Sequence, residues 1–148
     1  MAHFKTLATT FLILLLYFVA TIDIPTTVLA DQIAKKHGID PKLFRAVITQ
    51  ESNWNPLAVS SKGAVGLTQL MPSAAQDCGL TDIERYYPYQ NLDCGAWHLA
   101  RNYQEFQSIK KALCAYNAGA NRVRRLGACP PFRETEQYVN NIMAIWQR

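Results

Sequence analysis

The sequence predicts a mainly α-helical domain, on three observations. Apolar residues recur at three- and four-residue spacing through most of the chain. Glycine or proline closes these stretches, as helix stops do. No stretch alternates apolar and polar residues for long enough to make a half-buried strand. One segment stays open: Val65, Leu67, Leu70 and Met71 fit a short helix, a very short strand or an irregular segment over Gly63–Met71.

The chain begins with His3 and Lys5 ahead of a strongly apolar run, Leu7–Ile22, which Asp23 and Pro25 end. Val28-Leu29-Ala30 then offers small residues where a signal peptidase reads. The pattern predicts a signal peptide over 1–30, cleaved after Ala30, and one domain over 31–148 in an exported protein. The rival is an uncleaved anchor, although the apolar run is near the lower limit for spanning a bilayer.

Asp31–His37 reads as a short helix stopped by Gly38. Asp40 is placed to cap the next helix, with Pro41 at its first position. Its apolar stripe is Leu43, Phe44, Val47 and Ile48, and Asn53–Pro56 ends it. Pro72–Cys78 is a further short helix before Gly79, and Leu80–Gln90 is expected to be a loop. Asn91 is expected to cap a longer helix whose core face is Leu92, Ala96, Leu99, Tyr103 and Phe106. Helices over Ile109–Ala118 and Asn121–Leu126 end at Gly119 and Gly127. After the break at Pro130-Pro131, Glu134–Trp146 turns Tyr138, Val139, Ile142, Ile145 and Trp146 inward.

The formal net charge is +4, and the charges of Lys5 and Asp23 cancel when 1–30 are removed. This modest balance suits an anionic polymer or surface. There is no clustered basic stripe, so nucleic acid is not the expected partner. Cys78, Cys94, Cys114 and Cys129 all follow the leader. An even number in a small exported chain implies two disulfides. Three pairings are open; Cys78–Cys94 with Cys114–Cys129 is preferred because sequence neighbours often pair. Zinc is the rival, but no close Cys-x-x-Cys pair is present.

Glu51 stands out among the ionisable residues. It lies four residues after Val47 and three after Ile48, on the stripe that enters the core. It also falls in the last turn, where the helix dipole disfavours negative charge. Both effects raise a carboxyl pKa and favour a general acid. His37 and His98 read as structural or surface residues. No His-Glu-x-x-His, phosphate-binding glycine loop or Gly-x-Ser-x-Gly elbow is present. No metal or cofactor is therefore expected. Gly66–Pro72 and Ala115–Gly119 add amides, a thioether and a phenol, the residue types of a sugar-binding groove.

Together these segments carry a resemblance. Glu51-Ser52, Asn55-Pro56, Ser60 and Gly63–Pro72 resemble the first half of the soluble lytic transglycosylase domain. Asn91-Leu92 with Gly95, Ala115–Gly119, Pro131-Phe132 and Glu134–Val139 resemble its second half, in order. The resemblance covers nearly all of 31–148. The chain is also similar to the accessory transglycosylases of secretion and conjugation systems. It departs from the family at Thr68, a position often occupied by methionine, and in its four cysteines.

The resemblance implies a lysozyme-like helical fold of the goose-type kind and cleavage of the N-acetylmuramic acid–N-acetylglucosamine bond of peptidoglycan. It assigns Glu51 as the single catalytic acid and base. Ser60, Gln69 and Met71 are implied to line the groove, and Tyr116 and Asn117 to wall the muramic-acid subsite. Tyr138 is implied to approach the catalytic carboxyl, and Ser52 to support the local backbone. The expected partners are glycan strands and components of a secretion or conjugation apparatus, with the protein a periplasmic monomer. Two other readings are carried alongside: a hydrolytic muramidase, and a wall-binding module without enzyme activity.

Overall fold

The computed structural model describes residues 24–148. Seven α-helices occur among them. They are α1 Thr26–Lys36, α2 Pro41–Ser52, α3 Pro72–Asp77, α4 Pro88–Phe106, α5 Ile109–Ala118, α6 Ala120–Leu126 and α7 Arg133–Trp146. Of the leader expected over residues 1–30, residues 1–23 lie outside the described residues. Ile24 and Pro25 precede α1, and residues 26–30 belong to it, so the helix begins five residues before the expected Asp31. Ala30 is fully buried and Leu29 packs against the core, so the expected cleavage point falls inside this helix. Asp31, just beyond it, pairs with Arg45 of α2.

α2 lies between α1 and α7. Asp40 accepts a hydrogen bond from Lys42 N at 2.9 Å and caps it as expected. The other carboxylate oxygen of Asp40 accepts from Trp146 Nε1 at 2.7 Å, tying the end of α7 to the start of α2. Leu43, Phe44, Val47 and Ile48 are all buried. α2 packs on α1 and α7, α4 on α1 and α5, and α5 on α6 and α7. Helical spacing therefore predicted which face of α2 is dry.

The Gly63–Met71 segment is neither helix nor strand. It is a folded-back loop held by two isolated antiparallel bridges, Val59 with Val65 and Val65 with Leu70. The expected loop Leu80–Gln90 contains a 3₁₀ turn, Ile83–Tyr86, and the first residues of α4. Asn91 does not cap α4. The helix starts at Pro88, and Asn91 sits 1% exposed in its first turn. A side chain so deeply buried must find polar partners, and the glycine-rich loop supplies them. Tyr103, expected in the core, is 43% exposed because the inward stripe of α4 runs through Leu92, Ala96 and Leu99.

The disulfides are Cys78–Cys94 and Cys114–Cys129, with Cα–Cα distances of 5.9 and 5.6 Å. No cysteine among the described residues is left free to serve a zinc ion. The first bridge fixes the end of α3 to α4. The second fixes α5 to the segment leading into α7. Each closes a loop for which about 3 kcal/mol of stabilisation is typical.

Candidate active site

α2 delivers Glu51 to the edge of the core. The helix ends just beyond it, with Asn53 in the left-handed conformation (φ 49°). Four residues on from Val47, the carboxyl lies against the core side of α7, where Tyr138 is 6% exposed. Tyr138 Oη donates to Glu51 Oε1 at 2.6 Å. Burial raises the Glu51 pKa to about 7, and the tyrosine hydrogen bond opposes that rise. No other carboxylate contributes to it. The same burial, together with the negative charge of Glu51, raises the pKa of both Tyr138 and Tyr116. Both phenols therefore stay protonated as donors.

Replacing Tyr138 with Phe removes that donor and little volume. The loss should cost about 1 kcal/mol of stability. It should also push the Glu51 pKa higher, because the bond favours the ionised carboxylate. Catalysis should fall by roughly tenfold to a hundredfold, the equivalent of about 1.4 to 2.7 kcal/mol on the barrier. Thermal melts run beside rate assays would detect the reverse pattern.

The Gly63–Met71 loop forms the facing wall. Asn91 reaches into it from α4. Its Oδ1 accepts from Thr68 N and from Thr68 Oγ1, both at 2.8 Å. Its Nδ2 donates to Val65 O at 2.9 Å and Arg85 O at 2.7 Å. Arg85 adds bonds from Nη1 to Gly63 O and Leu70 O at 2.9 and 3.1 Å. Ser52 Oγ donates to Leu67 O at 2.8 Å, joining the end of the acid's helix to the same loop. Gly95 brings the α4 backbone so near Thr68 that a β-carbon there would lie 2.5 Å from its Oγ1.

This loop places Thr68 O where Tyr116 Oη donates to it at 3.1 Å. Thr68, Asn91 and Arg85 thus position the site, a role that the sequence did not lead us to expect for any of them. A sequence signal existed: Asn91, Gly95 and Leu99 lie on one α-helical face, and an amide on a core-facing stripe requires partners.

Tyr116 connects the acid to an open groove of about 610 Å³, whose lining includes Gln69, Met71, Tyr116 and Asn117. Gln69 sits in the left-handed conformation (φ 50°), where strain costs a non-glycine residue free energy. Its Nε2 donates to Ala58 O and Gly66 O at 3.2 and 3.0 Å. Its Oε1 accepts nothing among the described residues and remains available to a ligand. Asn117 Oδ1 accepts from Thr135 Oγ1 at 2.9 Å, which orients the amide and leaves its nitrogen free among the described residues. Met71 is 39% exposed. Ser60 stands apart from this group. Its hydroxyl accepts from Ala64 N at 3.0 Å and Lys62 N at 3.3 Å, closing its own turn.

The other carboxylates have their own partners or stand elsewhere. Asp93 meets Lys36 and His37 at 2.8 and 2.7 Å, Asp82 meets Arg85 at 3.2 Å, and Glu105 meets Arg124 at 2.7 Å. Glu84 accepts from Thr81, and Glu134 lies 3.7 Å from Lys62. His98 Nε2 donates to Ala74 O at 2.9 Å, a structural bond.

The family described as Transglycosylase SLT domain matches residues 28–139. A protein named transglycosylase from Enterobacteria phage PRD1 is 39% identical over 87 residues, covering 59% of this chain and 32% of that protein. Membrane-bound lytic murein transglycosylase F of Desulfosudis oleivorans is 37% identical over 103 residues, covering 65% of this chain and 22% of that one. The crystal structure of the 70 kDa soluble lytic transglycosylase of Escherichia coli superposes with a TM-score of 0.74. It is 31% identical and covers 80% of this chain and 23% of that one. The chain thus spans about a third or less of the length of the curated relatives it matches.

Proposed function

Because the chain belongs to the transglycosylase SLT domain family, we infer that it cleaves peptidoglycan strands without net hydrolysis, using Glu51 as its one acid and base. The observation that carries this reading is a buried carboxyl with a pKa near 7, hydrogen-bonded to Tyr138 beside a groove whose near end is lined by the amides of Gln69 and Asn117.

With Oε1 occupied by Tyr138, the proton of the neutral acid sits on Oε2, the oxygen without a partner among the described residues. From there it passes to the glycosidic oxygen between N-acetylmuramic acid and N-acetylglucosamine, and the C1–O bond breaks. The neighbouring N-acetyl oxygen bonds to C1 and takes up the positive charge as an oxazolinium-like ion. The carboxylate then removes the proton from the muramic C6 hydroxyl, whose oxygen closes on C1 and displaces the N-acetyl oxygen. Glu51 is neutral again, and the product is a 1,6-anhydro ring. Ordinary glycosidases use two carboxyl groups about 5 to 9.5 Å apart. That Glu51 has no carboxylate neighbour acting on its pKa supports a substrate group in the second role.

The apolar leader supports export to the periplasm or cell envelope. The resemblance to accessory members supports local opening of the wall for a secretion or conjugation apparatus. Mass analysis of sugars released from purified peptidoglycan tests the chemistry. Anhydromuramic ends, lighter by one water than reducing ends, are expected. Reducing ends would make the protein a muramidase. A folded protein that releases nothing would instead be a wall-binding module.

A further inference from the structure

The groove does not end at Tyr116 and Asn117. It continues between the end of α3, the outer face of α4 and the start of α6, and its character changes there. Around Gln69, Met71, Tyr116 and Asn117 the lining carries no charged side chain. The far end carries Asp77, Arg101, Glu105 and Arg124. Two of these neutralise each other: Arg124 Nε and Nη2 donate to the two oxygens of Glu105 at 2.7 and 2.8 Å. The other two form no ion pair among the described residues, although the charge of Arg101 also acts on Glu105. Arg101 lies over the Trp97 ring at 5.3 Å and donates no hydrogen bond among the described residues. Asp77 accepts none there. Both are exposed to the groove's solvent.

Their placement is built rather than incidental. Asp77 precedes Cys78, and the Cys78–Cys94 disulfide clamps that end of α3 to α4. Arg101 lies seven residues after Cys94, on the same face of α4. His98, between them, reaches back to Ala74 O of α3 and closes the seam. The aromatic platform holds the guanidinium at lower entropic cost than a free side chain.

Hydroxyl and acetamido groups of a glycan are uncharged and need no such pair. In a peptidoglycan strand the charged groups are the carboxylates and amines of the peptide stem. We propose that this far end of the groove is a subsite for a peptide stem bearing both charges, with Arg101 taking a stem carboxylate and Asp77 a stem ammonium. The proposal rests on the transglycosylase reading and adds a specificity that the glycan alone cannot supply.

A chemical double-mutant cycle tests it. The substrates are purified strands with native stems, with stem carboxylates converted to amides, or with stem amines acetylated. The proteins are wild type, Arg101→Gln and Asp77→Asn, each checked by thermal melt. Amidation should lower wild-type kcat/KM about fivefold yet have little further effect on Arg101→Gln. Acetylation should do the same for wild type against Asp77→Asn. Independent, multiplicative losses in both pairs would overturn the subsite while leaving the cleavage chemistry intact. If folded wild-type protein releases no sugar from any of the strands, the transglycosylase reading and the subsite fall together.

Discussion

Glu51→Gln should fold, bind and fail to cleave, with a rate at least about a hundredfold below wild type. The amide keeps the shape of the side chain, and its oxygen can still accept from Tyr138, but it has no proton to give. Stability should move the opposite way, depending on pH. The folded-state pKa of Glu51, about 7, lies above the usual carboxylate range. Between about pH 4.5 and 7 the native state therefore holds a proton that the unfolded chain has lost, and wild-type stability falls as pH rises. Above pH 7 the buried charge costs on the order of 3 kcal/mol, because each tenfold change in proton affinity is worth about 1.4 kcal/mol. The glutamine variant escapes that cost. Paired melts should coincide near pH 4 and diverge by pH 8, with the variant the more stable. Activity in wild type should decline as pH rises through about 7, where the native acid loses its proton, since the reaction starts from the neutral acid. Equal melting temperatures at pH 8 would place the carboxyl in solvent and remove the basis for its role.

Gly66→Ala should unfold or nearly unfold the protein, although Gly66 is not expected to touch substrate. Its φ of +81° is a conformation that a β-carbon resists. That carbon would also meet Arg85 O at 2.8 Å and the Asn91 amide more closely still. Backbone strain and overpacking together should cost roughly 2 to 5 kcal/mol. Gly63→Ala is the control, because Gly63 has the same φ but open space around it. Urea unfolding of both variants would separate strain from packing. A cost at Gly66 no greater than that at Gly63 would mean that the loop yields and that the Asn91 staple is loose.

Glu51 and Gly66 fall on opposite sides of a line between what is visible locally in the chain and what is not. The stripe Leu43, Phe44, Val47, Ile48 was legible because an α-helix repeats every 3.6 residues. One further turn of the same stripe puts Glu51 at the core's edge. The helix stops at Gly38, Gly79, Gly119 and Gly127 were legible for an equally local reason, and all four residues have positive φ. The preferred cysteine pairing stands in the structure too. Cys78 and Cys94 lie on successive elements packed side by side, as do Cys114 and the segment holding Cys129.

Other features depended on partners far along the chain. Asn91 looks like a helix cap when only its neighbours are considered. It becomes the centre of the loop wall because Thr68, twenty-three residues back, needs its amide. The first turn of α1 reads as the tail of a leader, yet Ala30 and Leu29 join the core once α2 and α4 pack against α1. Ser60 falls in a groove motif, but its hydroxyl is used by its own turn.

By itself, then, the sequence determined most of the helices, the dry face of α2 and the acid at its edge, while the groove residues came from the family resemblance. The helices and the acid follow from periodicity, capping and backbone freedom, which act over a few residues. The family resemblance implied that Tyr138, eighty-seven residues away, approaches Glu51, and the tertiary structure shows the hydrogen bond that it donates. Only the tertiary structure decided that Asn91 and Arg85 hold the opposite wall, and that Asp77 and Arg101 share the far end of one groove. Those contacts join surfaces distant in sequence, and burial of a polar group counts only once something has been packed over it.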